Sequence, residues 1–233
     1  MEIPLYLAMT AAEFTFCPSL PERIAWMACH FSPYGTGLSG VPDTLPPESI
    51  VIVNDRIPVC GHDPSVILSQ LQTLLEAYPI HGILLDFQRP DCPQAARITA
   101  AVTENCNCPV AVSELYAGDL PCAVFLSPVP ANKRAAEHFL PWSGREIWLE
   151  AALEGICVHL DSHGSTFSPM DYKCADPLPL FDPQLHSHYR MDLSEDCADF
   201  SIQRTRDDLA ALLREVMAYN VTKAIGLYQE LKP

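Results

Sequence analysis

The sequence predicts an α/β fold: a compact, irregular (β/α)8 barrel of the TIM type with a late β-hairpin insertion. Three observations predict it. Short apolar runs recur along the chain, helical patterns join several of them, and the number of runs is close to eight. Strands buried on both faces, as parallel strands are, read as continuous Ile, Val and Leu rather than as alternation. An open, doubly wound sheet is the alternative, because nothing in the strands dictates closure.

The runs are Ile3–Met9, Ile24–Cys29, Ile50–Val53, Ile80–Leu85, Val110–Val112, Ala123–Leu126, Ile147–Leu149, Ile156–Leu160 and Ala224–Tyr228. Between the third and fourth, Asp63-Pro64 supplies an N-cap and a proline at the first helical position. Ile67, Leu71, Leu74, Leu75 and Tyr78 follow at helical spacing. A second helix begins near Pro93 and carries Ala96, Ile98, Ala101 and Val102. A third begins at Thr205, where Asp208 completes a shortened capping box, and its apolar stripe is Leu209, Leu212, Leu213, Val216 and Met217. Residues 31–49 hold too much Pro and Gly for a helix, so one outer helix is replaced by a loop. Residues 186–203 read as a hairpin turning at Ser194–Cys197.

At 233 residues the chain has enough material for a large core, read here as one barrel-like domain over 1–233. Hydrophobic residues make up 48%, which excludes disorder in spite of a net charge of −15. That charge argues against nucleic acid as a partner, since the 14 basic residues are scattered and form no patch. No apolar run is long enough to span a membrane, and the N-terminal stretch lacks the basic flank of a signal peptide. The expectation is a cytoplasmic protein with a carbohydrate or other small polar ligand. Ten scattered cysteines without a C-x-x-C read as reduced, small hydrophobes.

In parallel α/β folds, reactive groups come from the carboxyl ends of strands. Those positions hold Glu13, His30, Asp55, Asp86, Gln88, Arg89, Glu114, Glu150, Asp161, Gln229 and Glu230. Aromatic residues accompany them: Tyr34, Phe87, Tyr116, Trp148 and Tyr228. Carboxylates bond hydroxyls and flat rings pack on sugar faces, so the set suits a carbohydrate. Solvated strand ends are the bland alternative. Glu114 and Glu150 each end a run and, with Asp86, are candidate catalytic acids. Glu150 has a competing reading, inside a hairpin with Gly155–Leu160. Two carboxyls about 5–5.5 Å apart permit a retaining glycosidase, and about 6.5–9.5 Å an inverting one.

The segment His81-Gly82-Ile83-Leu84-Leu85-Asp86-Phe87-Gln88 resembles the fourth-strand signature of family-18 glycoside hydrolases, the chitinases and chitinase-like lectins, which reads D-G-x-D-x-D-x-E. Gly82, Asp86 and the aromatic Phe87 match; His81 and Leu84 replace two acids, and Gln88 the glutamate. The end of the chain, from Asp199-Phe200 through the Thr205–Tyr219 helix to the strand Lys223–Tyr228, is similar to the end of the family's spore-type members. The resemblance implies a sugar subsite lined by Asp86, Gln88, Tyr116 and Tyr228, with His30, Asp55, Arg89 and Glu230 as further ligand-binding candidates on the same rim. It also implies lost chemistry, because the family's glutamate is the general acid and a glutamine amide does not titrate near neutral pH. A binding protein without family-18 hydrolysis follows. An active glycosidase or other hydrolase, with Glu114 paired to Asp86 or Glu150, is the alternative.

His159, Asp161 and His163 share one strand face by period-two spacing, as do His186 and His188. Such sets can ligate metals, yet eight histidines make chance pairs expected, and they are read as solvated hairpin residues with no resident metal or cofactor. Gly35–Gly40 imitates a dinucleotide loop, but Pro42 discourages the helix such a loop needs. Cys29 and His30, as strand neighbours, point to opposite faces and make no dyad.

Overall fold

A computed structural model describes residues 2–170 and 177–232. In chain order the strands are β1 (Leu5–Met9), β2 (Ile24–Phe31), β3 (Leu38–Ser39), β4 (Ile50–Asn54), β5 (Gly82–Asp86), β6 (Val110–Ser113), β7 (Ala123–Leu126) and β8 (Ile147–Glu150). There follow β9 (Gly155–Asp161), β10 (Gly164–Pro169), β11 (Leu180–Asp182), β12 (Ser187–Leu193), β13 (Cys197–Gln203) and β14 (Val221–Leu227). The chain divides into two compact units. The first comprises Pro4–Leu126, Arg145–Glu150 and the stretch from Val221 onward; the second comprises Ser127–Gly144 and Ala151–Asn220 with the N-terminal residues.

The first unit is the barrel. Eight strands run parallel in the order β1-β14-β8-β7-β6-β5-β4-β2, and the pairing of β1 with β2 closes the ring. Closure removes every free sheet edge, which an open sheet would have left at two strands. Burial matches the continuous runs: β6 and β7 are buried throughout, and β4 until Asn54. Inward residues fill the interior with Tyr6, Ala8, Ala25, Ile50, Ile52, Leu84, Ala111, Ala123, Phe125, Trp148 and Ile225. Gly82 is small for a reason. A Cβ there would lie 2.6 Å from Cη2 of Trp148 and 2.8 Å from the Pro109 carbonyl.

The helices around the barrel are uneven. Pro64–Ala77 is capped by Asp63, whose carboxylate accepts from the Ser65 amide at 2.9 Å, and it buries Ile67, Leu71 and Leu74. Pro93–Asn105 buries Ala95, Ile98, Thr99 and Val102, so its inner face is turned by one residue from the expected stripe: Ala95 replaces Ala96. Between β2 and β4 there is no helix, only loop and β3, which pairs antiparallel with β2. Gly40 anchors this loop at φ +69°, and a Cβ there would lie 2.0 Å from the Ala28 carbonyl oxygen. The Gly40 carbonyl in turn accepts from Trp26 Nε1 at 2.8 Å.

The second unit holds a five-stranded antiparallel sheet in the order β10-β9-β13-β12-β11. The expected hairpin is present as β12 and β13, within this larger sheet. The run Ile156–Leu160, read as a barrel strand, is β9 of the antiparallel sheet, because a strand of its length pairs equally well in either setting and only its neighbours decide. Buried Arg204 ties the unit together: its guanidinium donates to the carbonyls of Val129 (2.6 Å), Leu185 (3.1 Å) and His186 (3.2 Å). The helix Arg206–Glu215 begins in the expected capping box of Thr205 and Asp208, and ends through a 3-10 turn at Asn220, φ +61°. The nine described cysteines are unpaired thiols; Cys174 lies outside the described residues. No helix among the described residues is long and apolar enough to cross a membrane.

Candidate functional site

The site follows from the two-residue period of the barrel strands. On β5 the inward residues are Gly82, Leu84 and Asp86, at three successive levels. Gly82 makes room for Trp148, Leu84 is buried in the core, and Asp86 faces a cavity of about 660 Å³ at the carboxyl ends of the strands. The same step carries Tyr6 and Ala8 of β1 to Thr10, Ile50 and Ile52 of β4 to Asn54, and Trp148 of β8 to Glu150. All four outer residues line the cavity, with His30, Arg56, Met27, Phe125, Leu227 and Gly40. His30 does so while Cys29, its neighbour, is fully buried and its thiol is pushed up to about 12 by that burial.

Asn54 shapes this wall. The register of β2 against β4 shifts between Trp26 and Cys29, a bulge that frees carbonyls from the ladder. The Asn54 amide donates to two of them, Met27 at 3.1 Å and Cys29 at 3.0 Å.

Asp86 is half-buried. Burial holds its carboxyl above the usual carboxylate range; the Gln88 amide pulls the other way and the nearby charge of Asp55 adds to the rise. Gln88 Nε2 donates to Asp86 Oδ1, so the glutamine and aspartate of the signature are in direct contact. Asp55 is buried and points away from the cavity. Its two oxygens accept from the backbone amides of Gln88 (3.1 Å) and Arg89 (2.9 Å), which fixes the segment leaving β5. Arg89 donates to the Arg56 carbonyl at 2.9 Å, and the Tyr116 hydroxyl donates to the Arg89 carbonyl. Asp55, Gln88, Arg89 and Tyr116 thus form one network beside the cavity.

The remaining expected residues are placed elsewhere. Glu114 is exposed at the start of the short helix Glu114–Ala117 and does not line the cavity. Tyr228 opens the last helical turn, with its hydroxyl 3.2 Å from Cys17 Sγ, and Glu230 lies in the same turn. Neither lines the cavity; Leu227 does. Phe87 and Trp148 are fully buried, and Tyr34 is exposed on the loop after β2. Asp161 belongs to the antiparallel sheet and not to the barrel rim. Glu150 is not in a hairpin: β8 pairs in parallel with β7 and β14. Thr10, Asn54 and Arg56 were missed. Counting by two from Ile50 would have selected Asn54 in place of Asp55.

Of the late histidines, His186 pairs with Glu215 at 2.6 Å and His188 with Asp208 at 2.9 Å. His159 lies against Asp199 at 2.7 Å.

No protein-family model matches the sequence, and no curated protein sequence does either. Solved structures match by shape. The spore cortex-lytic enzyme SleL of Bacillus cereus aligns at TM-score 0.58 and 10% identity, over 97% of this chain and 71% of that one. A chitinase from Chromobacterium violaceum aligns at 0.53 and 10%, over 96% and 93%. The C-terminal domain of a putative chitinase from Desulfitobacterium hafniense aligns at 0.51 and 11%, over 97% and 93%. What this chain shares with those structures is the barrel fold.

Proposed function

We propose that the barrel cavity binds a carbohydrate and does so without the hydrolysis of family 18. The observation that carries this is the pairing of Asp86 with Gln88: the position that the resemblance gives to the general acid holds an amide, and it is hydrogen-bonded to the neighbouring carboxyl. The cavity supports a ligand of sugar type. Its size lies within the range of small-molecule sites, and Asn54, Asp86, Glu150, His30 and Arg56 offer donors and acceptors beside the apolar Met27, Phe125 and Leu227. Leu84 lies in the core beneath Asp86, so the second acid of the signature is replaced by a packing residue.

One observation favours a catalytic second reading. Asp86 and Glu150 line the same cavity, and burial raises the Asp86 carboxyl, which is what a proton donor requires. Glu114 paired with Asp86 or Glu150, the pairing expected from sequence, has no such support. Calorimetric titration with N-acetylglucosamine oligomers and aryl-glycoside assays on the same preparations separate the readings. The binding reading expects saturable binding, at least about tenfold weaker in Asp86→Ala, with no sugar released. Cleavage by the wild type that Asp86→Asn and Glu150→Gln both abolish replaces it with the catalytic reading. Absence of both binding and cleavage across a broad glycan panel removes the carbohydrate.

A further inference from the structure

The antiparallel sheet carries a second cluster of chemical groups, and its register explains how. Asp161 of β9 stands directly opposite Cys197 of β13, and His159 directly opposite Asp199. Residues two apart on a strand share a face, so these four side chains form a two-by-two array on one side of the ladder, where opposed Cβ atoms are about 4.5–5.5 Å apart. His159 Nδ1 is 2.7 Å from Asp199 Oδ1, and its Nε2 is 3.7 Å from Asp161 Oδ2. The ligand-capable atoms of His159, Cys197 and Asp199 all lie within 4.8 Å of one another. On the adjoining strand, Asp192 stands opposite Asp199 on the same face, with Arg190 Nε 3.1 Å from its carboxylate. Asp192 and Asp199 are like charges directly opposed across the ladder, and Arg190 and His159 are the cationic partners beside them.

We propose that His159, Cys197 and Asp199, with Asp161 as the fourth group, form a binding site for a thiophilic divalent cation, zinc foremost. One sulfur, one imidazole nitrogen and two carboxylate oxygens are a tetrahedral donor set that suits zinc; magnesium and calcium prefer oxygen alone. His159, Cys197 and Asp199 need little rearrangement, whereas Asp161, which lies against the other imidazole nitrogen, swings towards the ion to join them. Thiolate, imidazole and carboxylate come from two strands already held in register, and the ion replaces the hydrogen bond between His159 and Asp199. Ser194 Oγ, 2.8 Å from Cys197 Sγ, holds the sulfur in the turn between β12 and β13. The bound ion cross-links β9 to β13 and neutralises the facing carboxylates. Sugar binding by the barrel plays no part in this inference or its test.

The test uses the full chain, stripped with a chelator and desalted, then titrated with Zn²⁺ alone by calorimetry and with Co²⁺ by absorption. One zinc per chain is expected to bind saturably, and cobalt is expected to give a thiolate-to-metal charge-transfer band. Cys197→Ser removes that band. His159→Gln and Asp199→Asn each weaken zinc by more than about a hundredfold, and Asp161→Asn by about ten- to a hundredfold. Circular dichroism checks each variant, and the Asp199→Asn and Asp161→Asn titrations decide the matter if Cys197→Ser does not fold. No saturable zinc binding overturns the proposal. So do a cobalt band that survives Cys197→Ser, which assigns the ion to another cysteine, and wild-type affinity in both aspartate variants.

Discussion

The barrel and the antiparallel sheet come from one chain, yet they spend their residues in opposite ways. Strand β4 is buried at four successive positions, whereas every residue of β10 is exposed. In the barrel, side chains on both faces leave water, and apolar area supplies the stability. In the sheet, Phe167, Met191 and Leu193 remain exposed, while ion pairs, caps and the Arg204 carbonyl contacts hold the strands and the following helix. Polar contacts each contribute little net energy but specify register closely. A packed interior and a decorated frame therefore answer differently to the same kind of substitution.

The largest effect belongs to the barrel. Trp148 has no exposed surface and packs in the interior with Tyr6 and Phe125, with Lys223 Nζ 4.3 Å from its ring centre. Trp148→Ala is expected to cost about 3–5 kcal/mol in urea unfolding. A cost below about 1 kcal/mol would mean that the interior collapses around the cavity, and the contrast between the regions would fail.

An intermediate effect belongs to the capping box of the Arg206–Glu215 helix. Burial tends to raise the Asp208 carboxyl, but bonds from the Thr205 hydroxyl and amide and from His188 outweigh it and leave Asp208 below the usual carboxylate range. A depressed value means stability that is present above the unfolded-state pKa of about 3.9 and lost as pH falls through the folded value. Asp208→Ala is expected to lose about 1 kcal/mol near neutral pH, with the difference from wild type shrinking in acid below about pH 4. A gap that stays constant down to the lowest pH would show that the carboxylate's charge is not what the cap uses.

The smallest effect is expected on the open strand. Phe167→Ala should change stability by less than about 0.5 kcal/mol, because the ring is 57% exposed on β10. A loss of several kcal/mol in the same denaturation series would show that the face is covered in solution.

How much was legible in the sequence divides along the same line. The barrel strands could be read because continuous burial leaves continuous apolar runs, and the Asp63 and Thr205 caps because capping is local. The run Ile156–Leu160 misled, since five apolar-rich residues do not reveal whether their partner strand is parallel. The site was half legible. Asp86, Glu150 and His30 line the cavity as their strand-end positions implied, whereas at the end of β4 it is Asn54 and not its neighbour Asp55 that does so, since a step of one residue reverses the face. Glu114 does not line the cavity for a similar reason, since Ser113 ends β6 and the next side chain opens a helix. Of the cluster at His159, the spacing of His159 and Asp161 on one strand is legible, but the contact with Asp199 spans 40 residues and is not. Only the register of β9 against β13 brings those residues together.

Gly40 has a bearing on how such a barrel can change over time. The Ala28 carbonyl lies where any side chain at this position would begin, and the Trp26 indole grips the Gly40 carbonyl. The loop that stands in for a missing helix is thus pinned at one point where no side chain can be added, while its earlier part, around exposed Tyr34, lies open to solvent. Insertions and deletions before Gly40 can lengthen or shorten the loop without moving that part of the cavity wall. Loop length is therefore freer to vary than the residue at the pinned position.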